Sequence, residues 1–361
     1  MKNPGYAKLP LAPRDVIIAD EVEAGMENPD PAVVIQLIEA FRSSKAMFAA
    51  VELGIFDILE EGAKDAMTLA RETRSNPDAL ERLLDGCAGL GLLGKQGSQY
   101  SNLPVAQVYL CRNSPATLAG YILYSNRALL PMWEHLEDAV REGTHRWRQT
   151  FGHEGSIFEH FFRSDEARRD FLMGMNGFGM LSSPRIAAAF DLSAYNRLVD
   201  LGGATGHLAL AVLELYPQMR AGVFDLPGAI ETARATLAGT PGEGRVELIA
   251  GDFFADPLPE ADLYALGRIL HDWPQEKIDG LLKKIHGRLP PGGGLLIAER
   301  LLNEDKTGPL PALLQSLNML VCTEGKERTL AEYEELLRQA GFREIRGQKI
   351  GAPLDAILAV K

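Results

Sequence analysis

The stretch Leu198-Val199-Asp200-Leu201-Gly202-Gly203-Ala204-Thr205-Gly206 decides how the second half of this chain reads. A short apolar strand runs into a glycine turn, and an apolar helical pattern then continues through Leu215. Further short apolar runs follow at Ala221 to Phe224, Val246 to Ala250, Leu263 to Leu266, Leu295 to Ala298 and Ala356 to Val360. Between them lie helical patterns around Ile230 to Leu237 and from Pro274 to Leu289. Such alternation predicts an α/β fold with a mostly parallel, Rossmann-like sheet and helices on both faces. Ligands of such sheets sit at the carboxyl ends of the strands, so the residues closing each run carry the functional argument.

The glycines of the turn remove side chains where a ligand can approach the backbone and a helix N-terminus, although the same turn also serves as a plain tight connection. Asp200, at the end of the first strand, can accept from an ammonium group. Asp225, followed by Leu226, closes the second strand roughly 20 residues beyond Gly202, where doubly wound folds place an acid that holds both ribose hydroxyls. That spacing fits a nucleoside cofactor and leaves NAD and S-adenosylmethionine both open. In Gly251-Asp252-Phe253-Phe254, Asp252 can take an adenine amino group and Phe253 can lie against the ring; Asp252 reads equally as a turn cap.

Arg268 and His271 lie just past the fourth strand, on the same edge. A neutral imidazole accepts a proton near physiological pH. His271 has Asp272 beside it, Glu299 ending the next strand and Glu327 further on, and a carboxylate on an imidazole N–H fixes the tautomer and stabilises the imidazolium. Asp272 has a second reading as cap of the helix that starts at Pro274.

Residues 1–28, rich in proline, read as a flexible extension with a short helix around Val16 to Val22. Residues 29–115 begin with helical stripes (Val34, Leu37, Ile38, Phe41; then Met47, Val51, Leu53, Phe56). They continue as a helix from Thr68, a break at Ser75-Asn76-Pro77-Asp78, a helix from Ala79 to Leu90 and a glycine-containing hairpin from Leu92 to Leu103. This is a winged-helix pattern. Its second helix carries Asp78, Glu81 and Asp85 against one Arg82, which would repel phosphates and favours dimerisation or plain packing over DNA. Residues 116–185 are helical and dense in aromatics and methionines; each reads singly as ordinary helix core, and as a set they suit the lining of a flat apolar pocket. Residues 186–361 form the cofactor domain.

A chain of 361 residues with 46% hydrophobic residues can bury a large core and exceeds the size at which single cores stop growing. No apolar run of ~18 residues is present to span a bilayer. A formal net charge of −12 disfavours nucleic acid, which needs a basic face. The N-terminus lacks a signal-peptide layout, so a cytoplasmic setting is expected. Cys87, Cys111 and Cys322 form no metal-ligand or redox spacing, and no metal is expected.

In order, these segments resemble the class I S-adenosylmethionine-dependent small-molecule O-methyltransferases. Within them the chain is most similar to the acetylserotonin (hydroxyindole) branch of the caffeate and flavonoid family. The resemblance rests on Val199-Asp200-Leu201-Gly202-Gly203, Gly251-Asp252-Phe253-Phe254, Asp256 through Tyr264, Leu270-His271-Asp272-Trp273, Ser316 through Leu320, Thr323-Glu324-Gly325 with Glu327-Arg328-Thr329, and Asp355 through Ala359. It is looser at Phe48 through Asp57. It implies a homodimer with interlocked N-terminal helices and an aromatic small-molecule substrate. It also implies S-adenosylmethionine contacts at Gly202, Asp225, Asp252, Phe253 and Arg268. His271 is then the base, with Glu299 and Glu327 beside it and Asp272 and Asn318 facing substrate. Two positions depart from the pattern: Ala204 interrupts a glycine-rich run, and Cys322 stands where the animal melatonin-forming enzymes tend to carry glutamine. Three other readings remain open on the residues: the same fold diverted to decarboxylation or hydroxylation, a hydride-transferring NAD enzyme, and a winged-helix regulator.

Overall fold

The computed structural model describes residues 29–361 apart from 153 and 156. The expected extension over residues 1–28 and its short helix lie outside the described residues.

The N-terminal unit opens with the helix Ala32–Glu52 and the single turn Ile55–Ile58. Strand β1 (Lys64–Asp65) leads into the helix Ala66–Thr73, whose start is capped by the Asp65 carboxylate accepting from Thr68 N at 2.7 Å. The helix Pro77–Gly89 is capped by Asn76, and Pro77 in its first turn lacks an N–H that would otherwise go unsatisfied. Strands β2 (Leu93–Gln96) and β3 (Gln99–Asn102) close the wing, in the order β1-β3-β2. Leu69, Leu80, Leu84, Cys87 and Tyr100 fill its core. On the second helix Arg82 is paired with Asp78 at 2.7 Å, and Asp85 with Lys95 at 2.5 Å. The stripe Val34, Leu37, Ile38 and Phe41 faces away from this core; Leu37 is 72% and Phe41 63% exposed in the single chain.

Short helices then lead to the long helix Asp165–Ala187, capped by Ser164 accepting from Ala167 N. It packs closely on the helix Ala119–Tyr124, because a Cβ at Gly120 would stand 2.8 Å from the Met173 carbonyl carbon.

The C-terminal sheet contains β4 (Arg197–Leu201), β5 (Arg220–Asp225), β6 (Val246–Ala250), β7 (Leu263–Gly267) and β8 (Gly294–Glu299). A separate parallel pair, β9 (Leu301–Leu302) and β10 (Arg328–Thr329), precedes β11 (Glu344–Gln348) and β12 (Asp355–Val360). The sheet order is β11-β12-β8-β7-β4-β5-β6. Strands β4 to β8 are mutually parallel, while β12 runs antiparallel to both neighbours. The central strands are unbroken apolar runs because helices cover both faces. The direction of winding reverses between β4 and β7, which opens a crevice at their carboxyl ends. Strand β11 and the helices Leu310–Cys322 and Leu330–Gln339 were not anticipated from the sequence. Among the described residues no helix is long and apolar enough to cross a membrane.

Candidate active site

A cavity of about 830 Å³ opens at that crevice. One part follows the glycine loop and the ends of β4, β5 and β6; another is walled by the aromatics of the helical region and by the ends of β7 and β8. Eleven of the thirteen residues proposed from the sequence line it: Asp200, Gly202, Asp225, Leu226, Asp252, Phe253, Arg268, His271, Asp272, Asn318 and Cys322. The other two, Glu299 and Glu327, are fully buried behind His271.

Along the loop, Gly202 and Gly206 adopt φ of 71° and 84°, a region glycine enters without steric cost. Ala204 shares it at φ 48° despite its methyl group. The Asp225 carboxylate accepts from Ala204 N at 2.9 Å and Leu226 N at 2.7 Å, which ties the end of β5 to the loop. Burial raises it to about 6 against the pull of those two bonds. Asp200 is raised to about 7 by burial and then by the charge of Asp225, and among the described residues its carboxylate has no hydrogen-bond or ion-pair partner. A buried acid opening on a cavity without a cation beside it suits an ammonium ligand. Asp252 Oδ1 accepts from Phe254 N at 2.7 Å as a turn cap, and the residue also lines the cavity. Phe253 packs 4.7 Å from the Phe254 ring.

At the other end, the three-residue turn Leu270–Asp272 presents His271. Glu299 anchors that turn by accepting from Ile269 N at 3.0 Å and Leu270 N at 2.9 Å. His271 Nδ1 is 2.7 Å from Glu327 Oε1 and 3.3 Å from Glu299 Oε2, and Nε2 is 3.6 Å from Asp272 Oδ1. Burial pulls the imidazole down. Glu299, Glu327 and Asp272 together outweigh that and raise it to about 9. Glu299 itself is pushed up to about 7 and Asp272 to about 6, burial being the larger cause in both. Asp272 does not cap the following helix, whose first turn has no side-chain cap. The His271, Glu299 and Glu327 donor atoms lie within 4.8 Å of one another, a set a divalent cation could also take. The 2.7 Å contact is closer than the roughly 3.3 Å between two tetrahedral zinc ligands, so the arrangement is that of a hydrogen-bonded pair.

Asn318 Oδ1 accepts from Trp133 Nε1 at 2.8 Å, and Cys322 Sγ donates back to Asn318 O at 2.9 Å. Burial pushes the Cys322 thiol well above its ordinary range. All three cysteines are free and buried. Arg268, in the left-handed region at φ 58°, holds its guanidinium 5.6 Å from the Phe178 ring centre. The wall opposite is formed by Tyr121, Tyr124, Phe158, Phe162, Phe171 and Trp273. Sequence reasoning missed Arg328, which is buried and donates to Leu270 O, bracing the His271 turn; it lies inside a quoted motif but carries no periodic signal.

A family model described as the O-methyltransferase domain matches residues 133–343, and one for the O-methyltransferase dimerisation domain matches residues 35–112. The chain belongs to the O-methyltransferase family. The acetylserotonin O-methyltransferase of Bos taurus is 42% identical, over 93% of this chain and 99% of that protein. A probable bifunctional dTTP/UTP pyrophosphatase/methyltransferase protein of Homo sapiens is also 42% identical over 92% of this chain, which spans only 54% of its length. Among solved structures, human N-acetylserotonin methyltransferase in complex with SAM superposes with a TM-score of 0.88 at 40% identity, covering 94% of this chain and 99% of that one. The complex of PigF with SAH gives 0.83 at 30% identity, covering 92% and 100%. This O-methyltransferase is thus an enzyme that uses S-adenosylmethionine, built from a Rossmann-like domain and an N-terminal dimerisation domain.

Proposed function

We propose that this O-methyltransferase methylates a hydroxyl oxygen of a flat aromatic small molecule, with His271 as general base. The arrangement that supports this reading most is the orientation of His271. Its Nδ1 is held between two buried carboxylates, and its Nε2 edge lies beside the cavity residue Asp272. With a proton on Nδ1 and Nε2 bare, the imidazole is placed to take a proton from a hydroxyl docked against the aromatic wall. S-adenosylmethionine, when bound, supplies an electrophilic methyl group on a positively charged sulfur. Beside a cation the His271 imidazolium is disfavoured, so His271 gives up its resting proton more readily in the loaded site than at about 9. A phenol with a pKa near 10 is mostly neutral at pH 7 and gains nucleophilic charge only as its proton leaves.

Asp200 would take the ammonium of the cofactor, Asp225 its ribose, and Asp252 with Phe253 its adenine, with Gly202, Leu226 and Arg268 completing the contacts. Asp272, Asn318 and Cys322 would face substrate. The relatives' names suggest a hydroxyindole of the acetylserotonin kind. Cys322, whose thiol is turned back on Asn318 O, offers an acyl amide less than a glutamine would. The exposed stripe from Val34 to Phe41, largely within the matched dimerisation segment, fits a homodimer contact. Three free thiols suit the reducing cytoplasm. Replacing His271 by Ala should lower turnover with labelled S-adenosylmethionine and a phenol panel by roughly 10²–10⁴ while cofactor affinity stays nearly intact. Unchanged turnover would remove the base. Tight cofactor binding without transfer to any phenol would favour the diverted chemistry, decarboxylation or hydroxylation.

A further inference from the structure

The helix Asp165–Ala187 and the helix His207–Leu215, which follows the glycine loop, pack against each other at Gly179. A Cβ at Gly179 would lie 2.2 Å from Nε2, 2.3 Å from Cδ2 and 2.4 Å from Cε1 of His207. Such nearly equal distances place it over the face of the ring, so the absence of a side chain at 179 lets the imidazole lie flat on the long helix. One helical turn on, the Ser183 hydroxyl sits 2.8 Å from His207 Nδ1. A hydroxyl donating to Nδ1 leaves the ring hydrogen on Nε2. Among the described residues Nε2 has no hydrogen-bond partner, and Gly179, Ser183 and His207 all line the cavity. Burial, then the positive charge of Arg268, holds the imidazole down to about 4, so at neutral pH it donates from one nitrogen only.

The charges around this end of the cavity are ordered. Asp200 offers a buried carboxylate at the end of β4, against which a Cβ at Gly203 would stand 2.7 Å away. His207 and Arg268, near enough for the arginine charge to act on the imidazole, offer donors to the same cavity. A buried acid and two nitrogen donors in one cavity match an α-amino acid in its zwitterionic form.

We propose that His207 binds the α-carboxylate of the cofactor's amino-acid tail through Nε2–H, with Ser183 fixing the tautomer and Asp200 taking the α-ammonium. The proposal rests on S-adenosylmethionine as the cofactor. Calorimetric titration with two ligands separates the tail from the nucleoside: S-adenosylhomocysteine, and 5′-methylthioadenosine, which keeps the nucleoside and sulfur but lacks the tail. His207→Ala should weaken S-adenosylhomocysteine roughly 10- to 100-fold, the range for a hydrogen bond to a charged group, and leave 5′-methylthioadenosine within about twofold. His207→Phe, which keeps a ring on Gly179 but has no donor, should show the same selective loss and carries the comparison if the alanine variant loses its melting transition. His207→Gln, which restores a donor, should recover much of the affinity. Equal weakening of both ligands would show that His207 only shapes the loop, and unchanged binding of both would show that it does nothing for the tail; either overturns the proposal. A wild-type protein that binds neither ligand would overturn the cofactor assignment and the proposal with it.

Discussion

Replacing Glu327 by Gln tests the proton chemistry more sharply than deleting the histidine. The 2.7 Å contact to His271 Nδ1 is geometrically retained, since a glutamine oxygen still accepts from Nδ1–H, but one of the three negative charges around the imidazole is gone. Hydrogen bonds to charged groups contribute about 1.5–3 kcal/mol and neutral ones about 0.5–1.5, so the imidazolium loses on the order of 1–1.5 kcal/mol. At 1.36 kcal/mol per pH unit this lowers the imidazole by about one unit from its raised value of about 9. The sign follows from the role of a base. The rate rises with pH as His271 loses its resting proton, and a less stabilised imidazolium loses it earlier. The rising limb of kcat/KM, which reports the free enzyme, should therefore shift about one unit toward lower pH in Glu327→Gln. The plateau rate should fall roughly tenfold, because the same stabilisation is lost when the imidazolium forms in the transition state. Initial rates from pH 6 to 10 with labelled cofactor measure both. A limb that stays in place, or moves to higher pH, would refute the assignment of that limb to His271.

Asp200→Asn should stabilise the cofactor-free protein. The folded state raises this carboxyl from 3.8 to about 7, so the unfolded chain ionises first and stability is lost as pH rises across that window. Removing the acid should recover up to roughly 2–4 kcal/mol at pH 8, read as a higher Tm, while S-adenosylhomocysteine binding is lost; a lower Tm at pH 8 would contradict the buried-acid argument. Ala204→Gly relieves a left-handed backbone at φ 48° and should add about 1 kcal/mol of stability by thermal melting. Phe41→Asp places a charge in the exposed stripe and should shift sedimentation from dimer to monomer with a normal circular-dichroism spectrum; a dimer unaffected by it would move the contact elsewhere.

The sheet was legible because each buried parallel strand is a continuous apolar run between helical patterns, and strand-end acids such as Asp200 and Asp225 follow from where those runs stop. Strand β11 was not, since Glu344, Arg346 and Gln348 alternate with smaller residues on a sheet edge and leave no apolar run to see. The antiparallel direction of β12 was equally invisible, because strand polarity depends on the connection and not on composition. At the site, the neighbourhood of His271 and Glu299 could be argued from adjacent strand ends, whereas Glu327 entered through a motif far along the chain. The Asp272 carboxylate had two readings that composition could not separate; its position 3.6 Å from Nε2, with no side-chain cap on the following helix, does so. His207 lay in plain view beside the glycine loop. Its neighbour Gly179 comes from another helix, and a ring packed across a helix crossing has no signature in either pattern.

The four acids at the two ends of the cavity share one physical condition. Asp200, Asp225, Asp272 and Glu299 are all raised, with burial the largest cause each time, so each is held where its charged form is costly until a cation is beside it. For Asp272 and Glu299 that cation is His271, and among the described residues none stands beside Asp200. On stability alone a neutral residue at 200 would be favoured. A ligand bringing a positive charge would offset that cost, as the role proposed for Asp200 requires. The same reasoning accounts for both ends holding a proton more tightly than usual. The imidazole is raised to about 9 because its three carboxylate neighbours outweigh its burial, and Asp200 to about 7 because of burial and then the charge of Asp225. A cationic methyl donor bound in this cavity would favour both the ionised Asp200 carboxylate and the neutral form of His271, so under the proposed roles cofactor binding and base activation would be linked through charge.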